Sequence, residues 1–75
     1  MPKLPVLNPR KLLRALKRAG FYVDRTTGSH YILVNSDHPK KRVTLPYHNR
    51  DLAPKTIVSI IKQLGLTVEE FLNLI

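Results

Sequence analysis

Apolar residues recur along this chain with two periods, one suited to helices and one to strands. In residues 9–19, PRKLLRALKRA, the positions Leu12, Ala15, Leu16 and Ala19 follow an i, i+3, i+4, i+7 spacing and form one apolar stripe. Asn8 suits an N-cap, Pro9 suits a first helical position, and Gly20 stands where a left-handed helix end is wanted. FYVDR (21–25) then reads as a strand, TTGS as turn chemistry, and HYILVNS (30–36) as a second strand rich in β-formers. After the polar loop SDHPKK comes RVTLPY (42–47), a third strand with Pro46 near its end, where the sheet needs no donor. Pro54 opens a second helix over 54–64, with Ile57, Ile60, Ile61 and Leu64 as its core stripe and Gly65 as its stop. Thr67 and Glu70 are spaced as a capping box for a short last helix, with Leu66 and Phe71 spaced as its hydrophobic staple.

The order is α-β-β-β-α plus a short C-terminal helix, and the loops between strands are short enough for an antiparallel meander. An antiparallel sheet can bury one face and leave the other wet. Both long helices are therefore expected to lay their stripes on one face, an α+β fold of two layers. Alternation groups His30, Ile32 and Val34 on one side of the second strand and Tyr31 and Leu33 on the other, without choosing the inward side. Residues 1–75 read as one domain, with no repeat or linker.

Composition narrows what such a domain does. At 75 residues it has room for one small core and no large enclosed substrate chamber, so chemistry belongs on a surface or in a shallow groove. With no cysteine, disulfides, thiolate metal sites and a cysteine nucleophile are removed together. A small chain without staples fits a reducing compartment, here read as the cytoplasm. No segment is long and apolar enough to span a bilayer. The proline-broken start is too interrupted for a signal-peptide core.

Charge changes the picture most. Thirteen Lys and Arg oppose five Asp and Glu, a formal +8. Such an excess favours polyanionic partners, nucleic acid first and an acidic protein second. On the first helix Arg10, Arg14, Lys17 and Arg18 form a basic stripe beside the apolar one. No acid lies four residues away to turn it into a salt-bridged solvent face.

His30 has the richest chemical setting. Gly28 permits unusual backbone geometry or close approach of a substrate, Ser29 supplies a hydroxyl, and an imidazole at a strand start can work as acid or base near neutral pH. A lone histidine more often simply begins a strand. His48 follows the third strand, and its role is open between a second catalytic group, a phosphate contact and packing. His38 reads as a solvated loop residue. The three histidines share no helix face, no cysteine joins them, and the acids at 24, 37, 51, 69 and 70 are scattered, so no metal or other cofactor is expected. Asp24 and Asp51 are candidates to orient a histidine, though their spacing does not show it. RNA offers a metal-free route, because it carries its own nucleophile. A histidine can take the proton of the 2′-hydroxyl or give one to the leaving 5′-oxygen, while cationic side chains hold the extra phosphate charge.

These residues combine in a recognisable way. Ala19-Gly20-Phe21, Arg25, Gly28-Ser29-His30, Val43-Thr44-Leu45-Pro46-Tyr47-His48, Asp51-Leu52, Pro54, Thr56-Ile57, Ser59-Ile60 and Leu64-Gly65-Leu66 run in order before a Glu-Glu-Phe-Leu tail. Over roughly residues 8–74 the chain resembles the HicA toxins of bacterial and archaeal type II toxin–antitoxin pairs. The pairing of GSH on one strand with LPYH on another carries the resemblance.

The resemblance implies a fold like the double-stranded-RNA-binding domain. It implies an mRNA interferase that cuts mRNA without a metal and arrests translation, with His30 as the catalytic residue and a HicB-type antitoxin as partner. On this expectation Arg25, Gly28, Ser29 and His48, with the stripe Arg10, Arg14, Lys17 and Arg18, contact RNA. The competing expectation is a non-catalytic module that recognises double-stranded RNA by shape. Two departures stand out. Lys55 replaces a glycine frequent in relatives, and a changed entry loop to the second helix, with an altered RNA contact as a further consequence, is expected rather than a lost fold. Residues 1–7, MPKLPVL, are longer and richer in proline than in relatives and are expected to be a flexible arm, with packing over the core as the alternative.

Overall fold

A computed structural model describes residues 4–75 of the chain. The elements follow in the order α1 (Pro9–Arg18), β1 (Phe21–Thr27), β2 (His30–Asn35), β3 (Arg42–Pro46), α2 (Pro54–Leu64) and α3 (Val68–Leu74). The strands form one antiparallel sheet in the order β1-β2-β3, so β2 is central. The α+β class and the element order expected from the sequence are both present.

Local chemistry sets the helix ends. The Asn8 side chain accepts the Lys11 N–H at 2.9 Å, and Pro9 begins α1. Ala19 lies just past the last helical residue and is exposed, so the buried stripe of α1 is Pro9, Leu12, Ala15 and Leu16. Gly65 ends α2 in the left-handed conformation, φ 71°, which spares the steric cost that any side chain would add there.

Leu33 of β2 and Val43 and Leu45 of β3 are fully buried. They pack in one cluster with Leu12 and Leu16 from α1, Ile57, Ile60, Ile61 and Leu64 from α2, and Phe71 from α3. The pairings Leu33↔Val43 and Tyr31↔Leu45 place Tyr31 and Leu33 on the inward side. His30 and Ile32 therefore belong to the other side, which none of the described helices packs against in the core cluster.

Asn35 is the one buried polar residue among those described, at 8% exposure. Its Oδ1 accepts the N–H groups of Asp37 and His38 at 2.9 and 3.0 Å, and its Nδ2 donates to the Ala19 carbonyl at 3.5 Å. It thereby shapes the β2–β3 loop and ties it to the end of α1.

Of the expected N-terminal arm, residues 1–3 lie outside the described residues. Leu4 rests against the core, and Leu7, 1% exposed, is part of it. The Leu7 carbonyl accepts the Leu52 N–H at 2.7 Å, joining this segment to the loop after β3.

Leu7→Ala is expected to cost about 3 kcal/mol, as for a buried leucine whose site collapses only partly. Val6→Ala, at a position 77% exposed, is expected to change stability by less than about 0.5 kcal/mol. Urea unfolding of the two variants measures the contrast.

At α3 the capping box is complete. The Glu70 carboxylate accepts the Thr67 N–H at 2.9 Å, and the Thr67 hydroxyl accepts the Glu70 N–H at 3.1 Å. The hydrogen bond from the Thr67 backbone, followed by the one with its side chain, holds the Glu70 carboxyl below its usual value. A carboxyl lowered by folding adds stability above its unfolded pKa and loses it as pH falls through the folded value. The advantage of the wild type over Glu70→Ala in urea is thus expected to be full at neutral pH and to vanish in strong acid. Thr67→Ala is expected to cost about 1 kcal/mol at neutral pH.

Candidate active site

β1 and β2 are joined by a two-residue hairpin turn, Gly28-Ser29, closed by the pair Thr27↔His30. Gly28 has φ 55°, and no non-glycine residue among those described has a positive φ. Positive φ at the first central position only is the sign pattern of a II′ turn, whose twist suits a hairpin. A Cβ at Gly28 would meet nothing within 4 Å. Its glycine therefore serves backbone geometry rather than close packing. The Ser29 carbonyl accepts the Tyr47 N–H at 2.6 Å, which anchors the turn to the end of β3.

His30 is thus the first residue of the central strand, exposed, on the uncovered face of the sheet. Among the described residues no group hydrogen-bonds its ring. Both nitrogens are free to exchange protons with a ligand.

Arg25 reaches the same face through an irregularity. The pairing shifts between Val23↔Leu33 and Arg25↔Ile32, leaving Asp24 as an extra residue in β1. Strict alternation from the inward Phe21 and Val23 would turn position 25 inward as well. The bulge turns it outward, beside Ile32 and one row from His30. The Arg25 guanidinium lies 4.0 Å from the Asp24 carboxylate, both well exposed.

On the other side of His30 the sheet meets α2. The Gln63 carboxamide oxygen accepts the Thr44 N–H at 2.8 Å, and its nitrogen donates to Ser59 Oγ at 3.3 Å. This places α2 along the free edge of β3. An open groove results, with His30, Thr44 and Pro46 on the sheet side and Lys55, Thr56, Ser59 and Gln63 on the helix side. Lys55, Ser59 and Gln63 recur at helical spacing on one face. Sequence reasoning marked Lys55 only as a departure and assigned no role to Ser59 or Gln63. The i, i+4, i+8 polar line within 54–64 was the available signal.

The remaining expected residues sit elsewhere. His48 Nδ1 accepts the Arg50 N–H at 3.1 Å, so the loop after β3 occupies that nitrogen. His48 shares a small hollow with Asn8, Pro9, Arg10 and Asn49, separate from the groove at His30. Arg14, Lys17 and Arg18 are exposed on α1, which packs on the inward face of the sheet; their stripe and His30 are on opposite sides of that layer. Arg18 also donates to the Leu74 carbonyl at 3.4 Å. Asp51 lines an apolar groove near Leu4 and Leu52, away from His30. Tyr47 stacks on Tyr31, with ring centroids 4.3 Å apart and planes 5° from parallel, and both pack against the core. Among the described residues no three His, Cys, Asp or Glu side chains gather into a metal-binding group. No helix among them is long and apolar enough to cross a membrane.

The chain was compared with known proteins. The family model described as the HicA toxin of bacterial toxin–antitoxin systems matches residues 9–66. No curated protein matches the chain. The matched span runs from the first residue of α1 to just before the cap of α3, and includes every side chain lining the groove at His30.

Because Gln63 alone bonds the outward Thr44 N–H, Gln63→Ala is expected to lower stability by about 1 kcal/mol. Exchange of the Thr44 amide should accelerate by more than that of its neighbours. Gln63→Glu, which keeps the acceptor, should protect that amide. Hydrogen exchange followed by NMR reads both.

Proposed function

The chain belongs to the HicA toxin family, and from that premise we propose that it is the toxin of a type II toxin–antitoxin pair, a metal-independent endoribonuclease that cuts mRNA and is neutralised by a HicB-type antitoxin. The observation that carries this reading is His30: an exposed imidazole whose nitrogens no group hydrogen-bonds among the described residues, opposite a lysine across an open groove.

The chemistry follows from those parts. The 2′-oxygen of the substrate attacks the adjacent phosphorus as its proton leaves. The bond from phosphorus to the 5′-oxygen breaks, and that oxygen gains a proton. The products are a 2′,3′-cyclic phosphate and a 5′-hydroxyl. His30 carries one of these two proton transfers, at a nitrogen no protein group blocks, and water carries the other. Lys55 and Arg25, approaching from the two sides of His30, offset the charge that builds on the phosphate. The Gly28-Ser29 turn adds a hydroxyl and fixes where the imidazole begins. Thr44, Ser59 and Gln63 offer neutral hydrogen bonds to the sugar–phosphate backbone.

The basic stripe of α1 takes a different part. Lying beyond the sheet from His30, Arg10, Arg14, Lys17 and Arg18 draw RNA toward the protein and hold backbone away from the cut. The same positive surface suits an acidic antitoxin.

His30→Ala is expected to abolish cleavage of a single-stranded RNA in excess chelator, and growth arrest on expression, with little change in melting temperature. Lys55→Ala should slow cleavage roughly a hundredfold to a thousandfold, the range for losing one group that stabilises the transition state. The corresponding DNA, lacking the 2′-hydroxyl, should survive intact. Undiminished cleavage by His30→Ala overturns the assignment. If neither protein cuts while both bind RNA in a salt-sensitive way, the chain is a binding module instead.

A further inference from the structure

The sheet face that carries His30 continues beyond the groove. The row Thr27–His30–Pro46 is followed by Arg25–Ile32–Thr44 and then by Tyr22–Val34–Arg42. The last row is unusual for an uncovered face. Val34 in its centre is only 5% exposed, while Tyr22 beside it is 47% exposed. Directly opposed residues on neighbouring strands approach to about 5 Å between Cβ atoms, which sets Tyr22 and Arg42 on either side of Val34. Tyr22 is thus a half-exposed aromatic beside a buried apolar residue.

The other two tyrosines differ. Tyr31 and Tyr47 use their faces on each other and pack against the core. Among the described residues Tyr22 is thus the tyrosine with a ring face to offer. It lies two rows from His30, on the order of 13 Å along the strands. Arg25 and Arg42 lie on the same face, and Asp24, next to Arg25 in the chain, is paired with it.

We propose that Tyr22 is a stacking platform for an unpaired base of single-stranded RNA that runs across the open sheet face from His30 to Arg42. The proposal rests on the ribonuclease reading of the same face and names the form of RNA it takes. A solvent-facing aromatic between cationic side chains is what a single strand requires: a ring for the base and charges for the phosphates on either side. Bases inside an A-form helix are stacked on one another and present no free face, so a duplex gains nothing from Tyr22. Arg42 contacts the phosphate beyond the stacked base, and Arg25 the phosphate between it and the cut. An acidic protein surface would use the two arginines but has no need of the ring.

The test measures binding in a background that cannot cut. His30→Ala protein is titrated into a fluorescein-labelled single-stranded RNA, followed by anisotropy, with further substitutions Tyr22→Leu, Tyr22→Phe and Arg42→Ala. Leucine keeps an apolar side chain beside Val34 and removes the ring, and thermal unfolding checks that each variant is folded. Tyr22→Leu is expected to weaken binding roughly five- to a hundredfold, the range for one base–aromatic stack, without changing the salt slope. Tyr22→Phe should stay within about twofold. Arg42→Ala should reduce the salt slope by roughly 0.7, the loss of one phosphate contact on a single strand. A hairpin RNA of matching composition should bind Tyr22→Leu and its parent alike.

Unchanged affinity of Tyr22→Leu for single-stranded RNA overturns the platform, as does an equal loss on the hairpin. Cleavage by the wild-type protein is assayed in parallel to keep the two readings apart. Cutting with no dependence on Tyr22 removes the platform and leaves the nuclease. Ring-dependent binding without any cutting leaves the platform and removes the nuclease.

Discussion

The site depends on the inward direction of Leu33. Once that side chain enters the core with Val43 and Leu45, the pleat of the central strand sends His30 to the opposite face. The described helices cover one face of the sheet and leave the other open. The helices must share the inward face, because the stripes of α1 and α2 have nowhere else to be buried. The His30 imidazole is exposed by the same packing that stabilises the fold.

Two irregular features then adjust what that face presents. The extra residue at Asp24 lets β1 keep Phe21 and Val23 in the core while turning Arg25 out toward His30. Without it, a charged side chain would point at the core or the apolar pair would leave it. The second is the position of α2. Its apolar side is buried, but it stands at the edge of β3, where Gln63 satisfies a backbone donor that an edge strand would otherwise offer to another chain. That placement raises Lys55 into a wall beside His30 and turns a flat face into a groove.

Much of this was legible. The periodicities located every helix and strand, and the end signals at Asn8, Gly65 and Thr67 act as their residue types suggest. His30 stood out for its neighbours. What stayed hidden was relational. Alternation within β2 could not choose a face, because Ile32 and Val34 are as apolar as Tyr31 and Leu33; only packing against the helices decides. A bulge leaves no mark in a run such as VDRTT, so the side taken by Arg25 was open until the register was known. Ala19 fits the apolar spacing of α1 yet lies one residue past its end, where the chain turns away from the core. Leu7 sits in a proline-rich stretch with no period, and its burial comes from pairing with Leu52, distant in sequence. The basic stripe of α1 was readable as a stripe, but which side of the sheet it occupies was not.

These features together favour a particular form of substrate. A 2′-oxygen attacks efficiently only when it, the phosphorus and the leaving oxygen fall near one line. A regular duplex holds the 2′-oxygen well off that line and keeps each base within the stack. A single strand can rotate into it, provided something holds the nucleotides on both sides of the cut. The groove between β3 and α2 offers one hold, with Lys55 and neutral hydrogen-bonding groups. The rows beyond Arg25, rising to Tyr22 and Arg42, offer the other. Between them His30 has a backbone set by the Gly28 turn and a ring that no hydrogen bond holds among the described residues. On the proposed reading the sheet positions the substrate and the imidazole at its end moves the proton. Orientation and proton transfer are separate sources of rate enhancement, and the proposed reading assigns them to different residues.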